Sequence, residues 1–196
     1  ETIRHEGLEP LRLASLAARK ANVPMMVHVG GNPPYLKDME PYFEKGDILT
    51  HVFNGRGGDV WNPDGTPSDA LQKLIDRGVW LDVGHGSSSF DFNVFERAIR
   101  HPLPRVLMGT DLHQSSVKKL VRSMPVLLSK LYGCGVSLED ILYGVTAGPA
   151  MALGLTDWCR LSTVRNATLF RIVDHTEAYE DCQGNTRTFH RAFLTE

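Results

Sequence analysis

Short apolar runs alternate with amphipathic segments along the first 110 residues of the chain. The runs with the near-continuous apolar character of buried strands are Val23–Val29, Ile48–Phe53, Val79–Val83 and Arg105–Met108. The segments with helical periodicity are Leu8–Ala21, Ser68–Asp76 and Phe92–Arg100. Apolar strands separated by helices are typical of a parallel sheet that is covered on both faces. The pattern therefore predicts an α/β fold.

The spacing of the predicted strands narrows the architecture without deciding it. Their centres lie near residues 27, 50, 81 and 107, which gives separations of 23, 31 and 26 residues. A complete eight-unit barrel of ~250 residues has about 31 residues per unit. Four units fit half of such a barrel, but an open doubly wound sheet fits the same spacing equally well.

Two more helices are predicted after the fourth strand. Their patterns cover Val117–Tyr132 and Ser137–Val145. Ser137, with Asp140 three residues later, is typical of a helix start that resembles a capping box.

The pattern changes after about Trp158, where helical periodicity gives way to alternation. Asn166–Val173 and Thr186–Leu194 alternate like strands, and Gly184-Asn185 between them is a hairpin-type turn. We therefore expect a small β appendage outside the α/β core.

Composition and charge exclude some partners. The chain has 196 residues, 42% of them hydrophobic, and a net charge of −2, which gives no electrostatic reason to expect nucleic acid or an anionic membrane as a partner. No apolar run approaches the ~20 residues of a spanning helix.

The three cysteines, Cys134, Cys159 and Cys182, form no C-x-x-C pair and are expected to be reduced thiols in a cytoplasmic protein. Because the chain begins at Glu1 and enters a helical pattern almost at once, we expect an N-terminally truncated chain.

Polar residues gather where the predicted strands end. His28 and His51 close the first two strands, Asp82 and His85 surround the end of the third, and Asp111 follows the fourth. The carboxyl ends of parallel strands share one mouth, where such folds place their active sites. Two histidines and a carboxylate in one mouth suit zinc or a similar divalent ion.

Each of these residues also has an ordinary explanation. A histidine at a strand end is more often a satisfied polar residue than a metal ligand, and Asp111 after Gly-Thr is well placed to cap a helix. His85 between two glycines and His113 fit turn or loop residues. The metal-site hypothesis rests on the joint pattern, since three separate strands place a polar residue at the same end.

Several segments resemble the amidohydrolase superfamily, and within it the dihydroorotase-like amidohydrolase/deacetylase branch. They are PMMVHVG from residue 24, DILTHVFNGRGG from residue 47, LDVGHGSSSF from residue 81, GTDLH from residue 109 and TAGPAMALGL from residue 146. The order HxFNG followed by GHGxxSF is the most specific part of this resemblance. Together the segments cover most of residues 24–155.

The resemblance implies the C-terminal half of a TIM-type (β/α)8 metallohydrolase barrel. Residues 1–157 would be strands five to eight, and residues 158–196 would be part of a small β-sandwich appendage. It also implies two zinc ions, or similar divalent metals, per complete site, with His28 on strand five, His51 on strand six and Asp111 on strand eight as ligands. The HxH pair and the strand-four lysine that complete such sites have no counterpart here, since the chain has no HxH and no lysine within a predicted strand.

The implied reaction is hydrolysis of an amide (C–N) or acyl ester bond in a small-molecule substrate. Asp111 would be the general base that takes a proton from water and returns it to the leaving group. Asn54, His85 and His113 would contact substrate, although Asn54 fits a positive-φ turn residue equally well. We further expect a homo-oligomer for the full-length protein and no turnover from the 196-residue chain alone.

Two alternatives remain open at this level. A TatD-like metal-dependent deoxyribonuclease also has a strand-end histidine, an H-x-F-x-G run and a T-D turn. Against it, the balanced charge offers no phosphate-binding stripe, and Leu112 stands where that group usually has proline. The second alternative is a non-catalytic fragment that retains only part of a site.

Overall fold

A parallel three-stranded sheet with helices between its strands forms the first part of the molecule. The computed structural model describes residues 7–57, 59–159, 162 and 168–195. The strands of the sheet are β1 (Met26–His28), β2 (Ile48–Thr50) and β3 (Trp80–Asp82). The helices are α1 (Glu9–Ala21), α2 (Leu36–Met39), α3 (Asp69–Arg77), α4 (Phe92–Ala98), α5 (Met124–Gly133), α6 (Leu138–Val145) and α7 (Ala147–Ala152), with 3-10 turns at Glu40–Tyr42 and Thr156–Cys159.

The sheet order β1-β2-β3 follows the chain order, and all pairs are parallel. The fourth predicted strand, Arg105–Met108, forms only one parallel bridge, between Leu107 and Asp82. Its backbone nevertheless runs beside β3, because Leu107 N donates to Leu81 O at 2.8 Å and Val83 N donates to Leu107 O at 2.9 Å. The predicted α/β class is confirmed, and the half-barrel architecture stays a prediction.

Helix boundaries follow local capping chemistry. Ser68 Oγ accepts a hydrogen bond from Leu71 N at the start of α3, and Gly78 ends that helix with a φ of 84°. At the start of α6, Ser137 Oγ accepts from Asp140 N at 3.0 Å, as the predicted capping pair requires.

The long helix predicted over Val117–Tyr132 is wrong in its first half. Residues 114–120 form turns, Arg122 has a φ of 59°, and α5 begins only at Met124. Pro125 explains the difference, because proline is favoured in the first helical turn and breaks a helix interior. Ser123 supplies the N-cap for this later start.

The tail forms an antiparallel hairpin of β4 (Phe170–Glu180) and β5 (Thr186–Thr195), which confirms the predicted strands where they are described. Asn166 and Ala167 lie outside the described residues. Tyr179 and Phe193 of the hairpin are buried in the same apolar cluster as the sheet, and Phe193 N donates to Ser129 Oγ on α5 at 2.8 Å. The hairpin therefore packs directly on the α/β body, and a domain boundary near Trp158 stays a prediction.

In the described part of the chain, no helix combines the length and apolar character needed to cross a bilayer.

Candidate active site

Two histidines meet at the carboxyl end of the sheet. His28 is the last residue of β1 and His51 directly follows β2. Their ring centroids are 4.2 Å apart and the ring planes are inclined by 65°. Parallel pairing of β1 with β2 brings the two side chains together, as the strand-end positions predict.

His51 is held in one orientation by the backbone around it. Its side chain is buried, its φ is 67°, and its Nδ1 lies 2.5 Å from the carbonyl oxygen of Gly84. A carbonyl can only accept, so Nδ1 carries a proton, and Nε2 is the ring nitrogen left to face a ligand. This is the arrangement that metal-binding histidines usually adopt.

His28 is only partly exposed, at the edge of the sheet beside an open cleft of about 530 Å³. Partial burial, followed by the neighbouring His51, lowers the pKa of His28 to about 4. The ring is therefore neutral at pH 7, which is the form that binds metals.

Asp111 lies at the same end of the sheet, after the segment that runs beside β3. Its φ is 45° and its side chain is exposed. The carboxylate packs against Gly86 so closely that a Cβ on Gly86 would overlap it, and its charge acts on His28. Among the described residues, four non-glycine residues have positive φ, and His51 and Asp111 are two of them. Such strained positions cluster at functional sites.

Asp82 is a buried carboxylate beneath this edge to which the sequence alone assigned no role. Its Oδ2 accepts from Thr50 Oγ1 at 2.6 Å, and its Oδ1 accepts from Gly109 N at 2.8 Å. Burial raises the pKa of Asp82 above its ordinary value. Thr50 precedes His51 and Gly109 lies two residues before Asp111. The Asp82 carboxylate therefore holds the side chain next to His51 and the backbone near Asp111. An aspartate ending the otherwise apolar run VWLDV is the sequence feature that points to it.

The three residues predicted to bind substrate lie in different environments. Asn54 is buried, and its Nδ2 donates to His51 O at 2.9 Å while its Oδ1 accepts from Arg56 N, so it closes the turn after β2 without a positive φ. His85 is fully buried, with both ring nitrogens engaged by Gly86 O and Lys130. Only His113 is exposed, beside Ser115.

The donor chemistry of the edge fits a divalent metal only in part. His28 and His51 are adjacent, neutral-imidazole chemistry suits zinc, and Asp111 adds a nearby carboxylate. Over the described ranges, however, no cluster of three or more His, Cys, Asp or Glu side chains is close enough to hold an ion. The predicted three-ligand set is therefore brought to one end of the sheet without being closed around a metal position.

Curated relatives of this chain are named deacetylases. It is 33% identical over 189 residues to a deacetylase of Brucella anthropi and 33% identical over 189 residues to a deacetylase of Agrobacterium fabrum. A deacetylase of Enterococcus faecalis is 32% identical over 190 residues. These alignments cover 94–95% of this chain but only 46–52% of each relative, so the chain spans about half their length. No protein-family model matches the sequence.

Two solved structures share the arrangement of this chain. An adenine deaminase superimposes with a TM-score of 0.89 at 30% identity, covering 97% of this chain and 53% of that one. A dihydroorotase superimposes with a TM-score of 0.83 at 33% identity, covering 97% and 50%. The resemblance noted from the strand-end motifs is confirmed by these relatives.

Proposed function

Because this chain is a relative of the amidohydrolase-type deacetylases, we propose that it carries part of a metal-dependent hydrolase site that cleaves an amide or acyl ester bond. The observation that carries the proposal is the contact between His28 and His51, with the His51 Nδ1–H bonded to Gly84 O. Two imidazoles side by side, one of them with its Nδ1–H bonded to a backbone carbonyl, form the beginning of a metal site.

We further propose that residues 1–157 form strands five to eight of a (β/α)8 barrel, with residues 158–196 as part of a β-sandwich. Support comes from the chain-order parallel sheet and from superposition on about half of the adenine deaminase. In such barrels the catalytic groups lie at the carboxyl ends of the strands, where this chain has its histidines.

His28, His51 and Asp111 are the residues that would hold the metal, for which we propose zinc. When bound, zinc supplies a Lewis acid that makes water more acidic and polarises a substrate carbonyl. A site closed around two metals needs further ligands, and this sequence contains no HxH pair.

The chain's own residues then divide the work of proton transfer and positioning. Asp111, exposed at the mouth, takes the proton of the attacking water and returns it to the leaving nitrogen or oxygen. His51 is fixed through Gly84, and Asp82 binds the Thr50 hydroxyl next to His51 and the Gly109 amide near Asp111. His113 is the exposed candidate for substrate contact, whereas Asn54 and His85 support loops.

The substrate class and the assembly are proposed for a protein of the length of the relatives, about half of which this chain spans. We propose a small-molecule substrate and a homo-oligomer. A nuclease assay with magnesium, run beside the ester and amide screen, separates this proposal from the TatD-like alternative.

Metal titration of the 196-residue chain tests the site. We expect at most one zinc per chain, bound weakly, because only three ligands are present and three protein ligands can hold one zinc with an open position. His51→Ala should abolish this binding. His190→Ala, which removes an exposed histidine on β5, should leave it unchanged. Zinc binding that survives His51→Ala would place the metal elsewhere.

An amidase and esterase screen completes the test. We expect no turnover from this chain alone and turnover from an N-terminally extended protein that adds the HxH pair and the strand lysine. Two tightly bound metals together with robust turnover from the 196-residue chain would contradict the three-ligand assignment.

A further inference from the structure

A lysine is buried behind the candidate site with every donor satisfied. Lys130 on α5 is 1% exposed. Its ammonium group donates to Leu120 O at 2.7 Å, to Glu180 O at 2.8 Å and to His85 Nε2 at 2.9 Å. An ammonium group has three donors, and burying it is costly unless all are paired. The three acceptors, from three separate segments, therefore match this side chain completely.

The bond from Lys130 fixes the tautomer of His85. Because Nε2 accepts from the ammonium group, its lone pair must be free, and the ring proton must lie on Nδ1. That Nδ1–H donates to Gly86 O at 2.9 Å. Burial, and then the charge of Lys130, lowers the pKa of His85 to about 3, so the ring is neutral at pH 7. The ring also stacks on Phe90, with centroids 4.7 Å apart.

The segment Gly84–Gly86 reaches two of the proposed metal ligands. Gly84 O accepts from His51 Nδ1, and Gly86 packs against the Asp111 carboxylate. The φ angles of Gly84 and Gly86 are 47° and 53°, so this backbone occupies a region that glycine adopts freely and leaves freely. Backbone bonds from His85 N to Gly109 O and from Gly86 N to Thr110 O hold it on one side, and His85 supplies its only side chain.

We propose that Lys130 is a positioning residue for this site: through the neutral His85 ring it holds the Gly84–Gly86 backbone against His51 and Asp111. The proposal rests on the proposed function for the meaning of the site, but the contacts it invokes exist without metal. It also gives the hairpin a role, because Glu180 O, one of the acceptors of Lys130, ends β4.

The alternative is that the pair only stabilises the core. A buried polar pair replaced by apolar residues of similar shape often keeps or gains stability. Stability alone therefore cannot separate the two roles, and the readouts must come from the segment itself.

Lys130→Met tests the proposal by removing the ammonium group while keeping an unbranched apolar side chain of nearly the same length. We expect the amides of His85 and Gly86, which bond to Gly109 O and Thr110 O, to exchange with solvent about ten- to a hundred-fold faster. We also expect the imidazole ¹⁵N shifts of His51 to change. The amides of Ile48 and Trp80, at the amino ends of their strands, serve as internal references.

Lys119→Met is the matched control. Lys119 is 68% exposed in its side chain, pairs with Glu180 Oε1 at 2.8 Å, and loses the same charge in the variant. Exchange at His85 and Gly86 and the His51 shifts should stay as in the wild type. A folded Lys130→Met protein with unchanged exchange and unchanged His51 shifts would overturn the proposal.

The double variant Lys130→Met/His85→Phe covers the case in which the single variant does not fold. It fills the core with apolar side chains, so we expect recovered stability but fast exchange at Gly86 and altered His51 shifts. Wild-type values at both positions in this variant would show a purely structural role and would also overturn the proposal. All of these measurements are made without metal, so zinc binding that survives His51→Ala would refute the proposed metal site and leave this inference standing.

Discussion

The β2–β3 side and the β1 side of the sheet's carboxyl edge differ in burial and in hydrogen bonding. On the β2–β3 side, Thr50, His51 and Asp82 are buried and each has a hydrogen-bond partner. On the β1 side, His28 and Met26 are exposed, Met26 at 58%. Among the described strands, β1 pairs only with β2.

This contrast separates what the chain fixes by itself from what it leaves adjustable. His51 receives its orientation from Gly84, and the backbone beside it is held by Asp82. His28 has a contact with the His51 ring and open space beside it. Changes on the β2–β3 side should therefore cost more, in stability and in geometry, than comparable changes on the β1 side.

The largest expected effect is on turnover, at Asp111. In an N-terminally extended, active protein, Asp111→Asn keeps the shape of the side chain but cannot accept a proton, so kcat should fall by ~10²–10⁴. Steady-state kinetics on the proposed amide or ester substrates measure this loss. A kcat within a few-fold of the wild type, with the fold intact, would show that another group is the base.

A pair of glycine substitutions tests the contrast in stability directly. Gly84→Ala should lower the free energy of unfolding by about 2–5 kcal/mol, from positive-φ strain and overpacking, because its Cβ would lie 2.7 Å from His51 Nδ1. Gly31→Ala, next to the β1 edge, meets no atom within 4 Å and should change it by no more than about 0.5 kcal/mol. Urea denaturation of both variants measures the two free energies of unfolding. Equal losses in Gly84→Ala and Gly31→Ala would contradict the difference between the two sides.

Substitutions at Asp82 test separately the hydrogen bonds and the negative charge of this carboxylate on the β2–β3 side. Asp82→Ala leaves the Thr50 hydroxyl and the Gly109 amide without their acceptor and should cost about 2–4 kcal/mol. Asp82→Asn can still accept from Gly109 N and can donate to Thr50 Oγ1, so its stability should stay close to that of the wild type. Asp174→Ala, at a carboxylate that is 91% exposed, is the control. A destabilised Asn variant would show that the charge itself is needed.

The sequence is informative about this edge where strand geometry alone decides the outcome. Polar residues that end apolar strands share one edge whenever the strands are parallel, so the meeting of His28 and His51 follows from their positions. The start of α5 could also be predicted from local sequence, since Pro125 with Ser123 before it favours a helix start there.

The direction of the His85 side chain could not be predicted in the same way. Local sequence places it between two glycines, but its burial depends on Lys130, a partner 45 residues away. The available signal was the lysine within the apolar stretch VLLSKLYG, at a position that shares a helix face with buried leucines. Reading its partner from that signal requires the tertiary fold, because the acceptors of Lys130 come from three distant segments.

The smallest expected effect is a pH dependence of the free energy of unfolding that comes from Lys130, behind the β2–β3 side. Burial lowers the pKa of Lys130 to about 8, below its ordinary value of 10.5. Between these two values this lysine binds more protons in the unfolded chain than in the folded chain. Lys130 therefore makes the free energy of unfolding of the wild type rise with pH relative to that of Lys130→Met, by at most about 1.4 kcal/mol per pH unit. Lys130→Met should lack this rise, while Lys119→Met, at an exposed lysine, should keep it. Urea denaturation of the three proteins at about pH 7.5, 8.5 and 9.5 brackets the lower part of this window. Parallel curves of unfolding free energy against pH for the wild type and Lys130→Met would mean that Lys130 keeps an ordinary pKa. Its three hydrogen bonds would then offset the effect of burial on the ammonium group.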